Sequence, residues 1–245
     1  MKPEVQKILQ EIFNPFIQAE DLKSHDLWRS PDFSDLENFA LLLLEDKSEE
    51  SFQKFLGDKS NFLFRQSFST DESPLGIIAK PPLSNFNFAD FAIFSVSQGG
   101  PHIHLIELER PNDRLFTKKM TPAHKLQTAL GQIYDWKEWL QSNQVTFINS
   151  CFKILKDAPK YPVKKENGTF IYCDKNKLNN IWNAFGGTEF CTIDYLIVLG
   201  RWGNLDEKER SRLILYNKNN ASQFIKIRTY EGFIRKALDG PRNLW

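Results

Sequence analysis

The chain has 245 residues, 41% of them apolar, 26% charged and 21 of them phenylalanine, which suits one globular domain of ordinary to large size and excludes a disordered or fibrous protein. No run of 18 or more apolar residues occurs, and polar residues interrupt the N-terminal MKPEVQKILQEIFNPF, so neither a membrane span nor a signal peptide is expected and a cytoplasmic location is predicted. The net charge of +1 hides an asymmetry: residues 1–72 carry 15 acidic and 8 basic side chains (−7), and residues 73–245 carry 24 basic and 16 acidic (+8). A basic excess of this kind serves a nucleic-acid surface, and it is equally the mark of an ordinary solvated face.

In chain order, PEVQKILQEIF and DLENFALLLLED have helical spacing, with Ser34 expected to cap the second, and together they predict a short helical arm over residues 1–46 that is too small for its own core. A second unit, residues 47–245, opens with SEESFQKFLGDKSNFLF, in which Ser48 begins a helix and Phe52, Phe55 and Leu56 share one side. Leu75 to Ser84 is rich in Pro, Gly and Ser and reads as a connection. FADFAIFSVS and HIHLIELE then form an antiparallel hairpin over residues 90–109, turned by Gly99 and Gly100 and stopped at Pro111.

Thr121 as N-cap and Pro122 at the first helical position announce a helix whose apolar stripe is Leu126, Ala129, Leu130, Ile133, Trp136 and Leu140. Lys160, Lys164 and Lys165 lie in a mobile-looking stretch around Pro159 to Val163. IDYLIVLG, residues 193–200, is almost wholly apolar, as in a buried central strand. A helix over DEKERSRLILYNK, a strand over QFIKIRT and a helix over YEGFIRKAL complete the reading. Cys151, Cys173 and Cys191 are far apart and form no CxxC, so core thiols are expected rather than a disulfide framework or a zinc cluster.

The chemistry centres on PHIHLIELERP. Both faces of HIHLIE are apolar, so the strand is interior, yet it ends in Glu107 and Glu109, whose side chains point the same way. Two carboxylates at the exit of an interior strand repel each other and lose hydration, and a divalent cation resolves that conflict. Asp90, at the start of the paired strand, is brought near Glu107 by the hairpin. Three oxygen ligands around Mg²⁺ or Mn²⁺ suit phosphodiester hydrolysis. The same Glu-x-Glu also fits a solvent-facing strand end, and Lys125, Thr128 and Gln132, which share one side of the following helix, also fit a plain polar face. His102 and His104 share a strand face with no third ligand evident, and are expected to pair or pack beside the turn. His124 is expected to approach the acidic cluster.

The order of Asp90, a glycine turn, IELE on a strand and a helix carrying ALGQIYDW resembles the PD-(D/E)xK nuclease core. More specifically, SEESFQKFLGDKSNFLF, FADFAIF, IELERPNDRLFTK, ALGQIYDWKEWL, YLIVLGR and IRTYEGFI, in that order over about residues 48–237, resemble the Shedu antiphage-defence nucleases. The resemblance implies an α/β fold with a mixed central sheet flanked by helices, preceded by the helical arm. It implies Mg²⁺ or Mn²⁺ on Asp90 and Glu107, a catalytic role for Gln132, a further acidic ligand at Glu50 or Glu49, double-stranded phage DNA as substrate, and a homo-oligomer. At the position of the family's catalytic lysine this chain has Glu109, expected to act as ligand or general base; alternatively Lys125 from the helix, or Lys118 or Lys119 from the loop, is expected to fill the vacancy. Lys118, Lys119, Lys164, Lys165, Arg201, Arg210 and Arg212 are the candidate DNA contacts, with Trp202 beside Arg201. The competing reading is a nuclease fold that has lost its lysine and binds DNA or a phage protein without cutting; a toxin acting on RNA is a third.

Overall fold

The computed structural model describes residues 3–13, 33–45, 47–58, 76–83, 88–97, 100–157, 163–164, 170–173 and 191–239. Its centre is a seven-stranded mixed sheet, with strands numbered in chain order as β1 (Gly76–Ala79), β2 (Phe91–Ser97), β3 (Gly100–Leu108), β4 (Val163–Lys164), β5 (Phe170–Cys173), β6 (Thr192–Val198) and β7 (Ile225–Arg228). The spatial order is β4-β5-β1-β2-β3-β6-β7. The β4–β5, β5–β1, β1–β2 and β2–β3 pairs are antiparallel, and β3–β6 and β6–β7 are parallel.

The expected antiparallel hairpin is present, pairing Phe91 with Ile106 and Ser97 with Gly100, so Gly100, expected in the turn, is instead the first residue of β3. β6 lies between β3 and β7, which accounts for its almost continuous apolar run. The reading of Leu75 to Ser84 as a connection is corrected: GIIA forms β1, buried along its length between β2 and β5. Four residues are too few for periodicity to show, and pairing on both edges decides the conformation. Gly76 has a packing reason, because a Cβ there would stand 2.6 Å from Leu155 Cδ2 on the helix behind the sheet. Val163–Lys164, expected to be mobile, is an edge strand against β5; Lys165 is outside the described residues.

Helices cover both faces. Among the described residues the α-helices are α1 (Pro3–Phe13), α2 (Phe33–Leu44), α3 (Glu49–Asp58), α4 (His124–Asp157), α5 (Glu207–Asn219) and α6 (Tyr230–Asp239). On one face α4 buries Leu126, Ala129, Ile133, Trp136 and Leu140 with Ile103, Leu105 and Ile197 of the sheet, so the stripe read from the sequence is the packed one. On the other, α1, α2, α3 and α6 share a core with Ile77, Phe91, Ile106, Leu108 and Val198. Val5, Leu9, Leu36 and Phe39 of the N-terminal arm thus bury against the same sheet, as helices too small for a core of their own must.

Two capping expectations are corrected. α2 already includes Phe33, so Ser34 lies inside its first turn. α4 begins at His124; Thr121 and Pro122 instead close a turn, with Thr121 O accepting from Thr117 N at 2.8 Å and Pro122 bridging to Phe116. The local signal was that of a helix start, and the bond to Thr117 displaced it by two residues. α5 has a capping box, Asp206 and Glu209 each accepting from the other's backbone N–H. Cys151 and Cys191 are buried, and Cys173 lies in β5.

Candidate functional site

Asp90, Glu107 and Glu109 are buried to 3%, 7% and 3% relative exposure, a rare condition for carboxylates. They meet at the carboxyl end of the parallel strands β3 and β6, where ligands of open α/β sheets bind. Asp90 is fixed by its backbone, whose N–H donates to Ile106 O at 2.9 Å, and its Oδ2 accepts from Leu108 N at 2.7 Å. Glu109 stands just beyond β3; its N–H donates to Val198 O at 2.9 Å and its carbonyl accepts from the buried Tyr230 hydroxyl at 2.7 Å.

A wall of the site comes from α3. Phe52 packs at 4.8 Å on Tyr230 and edge-on to Phe39 at 5.9 Å, and this aromatic contact presents the Glu49–Gln53 side of the helix to the sheet. Gln53 Nε2 donates to Glu49 Oε1 and to Asp90 Oδ1, both at 2.7 Å. Of the two acidic candidates on this helix, Glu49 is thus tied to the cluster and Glu50 is exposed. Two lysines flank the carboxylates. Lys80, just after β1, pairs with Asp90 Oδ1, and Lys125 Nζ lies 3.2 Å from Glu109 Oε2.

Four carboxylates against two half-exposed ammonium groups leave an excess of buried negative charge. Burial first, then the charges of Asp90 and Glu109, push Glu107 up to about 9. Burial and the same two neighbours push Glu49 up to about 7. Asp90 is raised by burial, against the opposing pull of Lys80 and the Leu108 N–H. Glu109 is also raised by burial, with Lys125 opposing, and Lys125 in turn is raised by its bond to Glu109.

Glu107 Oε2 is buried and has no hydrogen-bond partner. Among the described residues no three His, Cys, Asp or Glu side chains are already gathered as a metal-holding group. The donor chemistry nevertheless fits a hard divalent cation: all the donors are carboxylate oxygens, one of them is orphaned, and a positive charge would relieve their repulsion.

The other sequence candidates are more scattered. Gln132 Oε1, on α4, is buried and has no hydrogen-bond partner. His124, Lys118 and Lys119 are exposed. Arg201 Nε pairs with buried Glu231 at 2.9 Å, and the second oxygen of Glu231 accepts from Trp202 N at 2.8 Å. Arg210 lies over the partly exposed Trp202 ring at 5.1 Å. Arg212 lies on the same helix as Arg210 and has a buried Nε without a partner. Lys164 is in edge strand β4, far along the sheet order from β3. Sequence reasoning missed Lys80, Gln53 and Glu231. The signal for Gln53 is its helical spacing from Glu49; Lys80 follows an apolar run that was itself overlooked.

The family model described as Shedu protein SduA, C-terminal, matches residues 46–234. The chain belongs to the Shedu family. Membership implies a part in antiphage defence, and the match spans all three acidic strand-end residues together with α3, α4 and α5. No curated protein matches the chain at a significant level. No helix among the described residues of this Shedu protein is long and apolar enough to cross a membrane.

Proposed function

We propose that this Shedu protein is a metal-dependent DNA endonuclease with a PD-(D/E)xK-like core. The observation that carries the reading is the orphaned Glu107 Oε2, buried beside Asp90 at the carboxyl end of β3 with its acidity strongly suppressed. A buried polar atom without a partner is costly, and an ion or ligand that completes it is one way a protein retains such an atom. Asp90 and Glu107 are the residues that would hold Mg²⁺ or Mn²⁺, with Glu49 or Glu109 as a further oxygen donor. Such an ion acidifies a bound water and neutralises a scissile phosphate.

The chain's own groups supply the rest. Glu109, held through both its backbone N–H and its carbonyl, is positioned to accept a proton from the attacking water. Lys125, about half exposed on the first turn of α4, presents its ammonium to the phosphate side while restraining Glu109. Arg201, fixed by Glu231, and the Arg210–Trp202 stack stand at the exit of β6 and offer backbone contacts to double-stranded DNA. Assembly into a homo-oligomer and a cytoplasmic location belong to the same reading.

A second reading is favoured by one feature: both lysines near the carboxylates are already engaged, Lys80 with Asp90 and Lys125 with Glu109. That arrangement suits a weakened nuclease fold that binds DNA or a phage component without cutting. Supercoiled and linear DNA incubated with the purified chain in Mg²⁺, Mn²⁺ or EDTA separates the two. The endonuclease should nick or linearise DNA only with metal, and Glu107→Gln should reduce the rate by at least about 100-fold while DNA binding persists. Binding without cutting under all three conditions would select the second reading.

A further inference from the structure

Both oxygens of Asp90 are engaged, Oδ1 twice and Oδ2 once. Oδ1 accepts from both Lys80 and Gln53, and Oδ2 accepts from the Leu108 N–H. Glu107, its neighbour, has an oxygen with no partner at all. A cation shared between the two meets the charge of Lys80 at Asp90, because of the three donors on Asp90 only Lys80 is charged and reaches it from the solvent side, with 49% of its side chain exposed. Gln53 is anchored to Glu49, and Leu108 N belongs to the strand.

The backbone at Lys80 is also unusual. Its φ is +50°, a left-handed conformation uncommon for a residue with a side chain, and it precedes Pro81, which favours an extended residue before it. The conformation is held by a hydrogen bond from Lys80 N to Asp90 O at 2.9 Å. One residue thus grips Asp90 twice, through its peptide N–H and through its ammonium. Non-glycine residues kept in such conformations concentrate at functional sites.

We propose that Lys80 is a built-in counter-ion of the Asp90–Glu107 pair: its ammonium occupies Asp90 until a divalent cation displaces it, and the released ammonium then stabilises the phosphate at the rim. The hydrogen bond from the Lys80 peptide N–H to Asp90 O keeps the residue in place while the side chain swings, so the positive charge missing at position 109 is supplied from the end of β1 instead of β3. Displacement by metal stands on the geometry alone; the service to phosphate rests on the nuclease reading above.

Mn²⁺ titrated calorimetrically into the purified full chain tests the first half without reference to activity. Lys80→Gly, which suits a φ of +50°, and Lys80→Met, which keeps the apolar stem, should each bind Mn²⁺ about five- to tenfold more tightly than the parent, the scale of one partly exposed ion pair. Adding Asp90→Asn to Lys80→Gly should abolish the gain. At saturating Mn²⁺ the Lys80→Gly and Lys80→Met variants should cut DNA at least about tenfold more slowly, with partial rescue in Lys80→Arg. Unchanged or weaker Mn²⁺ binding in both variants, or no measurable binding by any form, overturns the counter-ion; unchanged cutting at saturation overturns the service to phosphate. If the parent does not cut at all, the nuclease reading fails, and the Mn²⁺ affinities still decide whether Lys80 guards Asp90.

Discussion

The two ends of β3 carry opposite kinds of titratable cluster. At its start His102 and His104 stack with ring centres 6.2 Å apart, and both approach Asp194 of β6, at 3.7 and 3.4 Å. His104 Nε2 also meets Ser95 Oγ at 3.3 Å. Burial holds His104 down to about 4; burial works to raise Asp194, but the bond from His102 and the nearness of His104 keep it below its ordinary value. This end is complete in itself: a neutral imidazole on a carboxylate, each with a partner from a neighbouring strand. At its finish Glu107 faces Asp90, Glu109 and Glu49 with too little positive charge and an unpartnered oxygen. The two ends differ in partners: the buried polar groups of the histidine end hold one another, and Glu107 at the other end keeps an oxygen that no group satisfies.

The contrast predicts stability curves of opposite slope. Glu107 has its folded value raised from 4.5 to about 9, so between those pH values the folded chain holds a proton that the unfolded chain releases. Metal-free stability should therefore fall as pH rises from about 5 to 9. Glu107→Gln, which cannot ionise, should flatten that slope and be more stable than the parent at pH 9 by on the order of 4 kcal/mol. Chemical denaturation at pH 5, 7 and 9 in EDTA measures it, and parallel curves for parent and variant would show that Glu107 is not strained by its neighbours.

Asp90→Ala ranks next. It strands the Leu108 N–H and removes the partner of Lys80, although it also relieves part of the repulsion on Glu107. The net result should be a loss of about 2 to 3 kcal/mol at pH 7, with Asp90→Asn losing less because it keeps an acceptor for Leu108. Urea unfolding of the two variants in EDTA gives both numbers. A stable Asp90→Ala would mean that the acidic end is held together by its strands and not by this carboxylate.

Much of this arrangement was legible beforehand, and what escaped notice has a physical pattern. The hairpin, β6 and α4 announce themselves because alternation, continuous apolarity and a helical stripe run over seven residues or more. The meeting of Asp90 with Glu107 follows from hairpin register. Lys80 did not follow, because β1 is only four residues long and is a strand by virtue of two neighbours remote in sequence. Gln53 reaches Asp90, and brings Glu49 with it, only once the aromatic contacts of Phe39, Phe52 and Tyr230 have docked α3, which no local pattern states. The Asp194 partner of the histidines was hidden for a related reason: parallel pairing of β3 with β6 joins positions ninety residues apart, and its register cannot be read from either strand.

The smallest effect belongs to the balanced end. His104 has its folded value lowered from 6.5 to about 4, so below about pH 6.5 the unfolded chain takes up a proton that the folded chain refuses. Stability assigned to this residue should be present above pH 6.5 and decline as pH falls toward 4, the reverse of Glu107. His104→Gln keeps a polar partner for Asp194 and Ser95 without the titration, so it should lose the acid slope, worth about 1 to 2 kcal/mol at pH 4.5, while differing little from the parent at pH 8. Because the carboxylates at the far end of the strand are untouched, Mn²⁺ affinity and any metal-dependent cutting at pH 8 should match the parent. A change in either would mean that the two ends of β3 are coupled through the strand, and that the histidine–aspartate cluster helps to set the geometry of the acidic one.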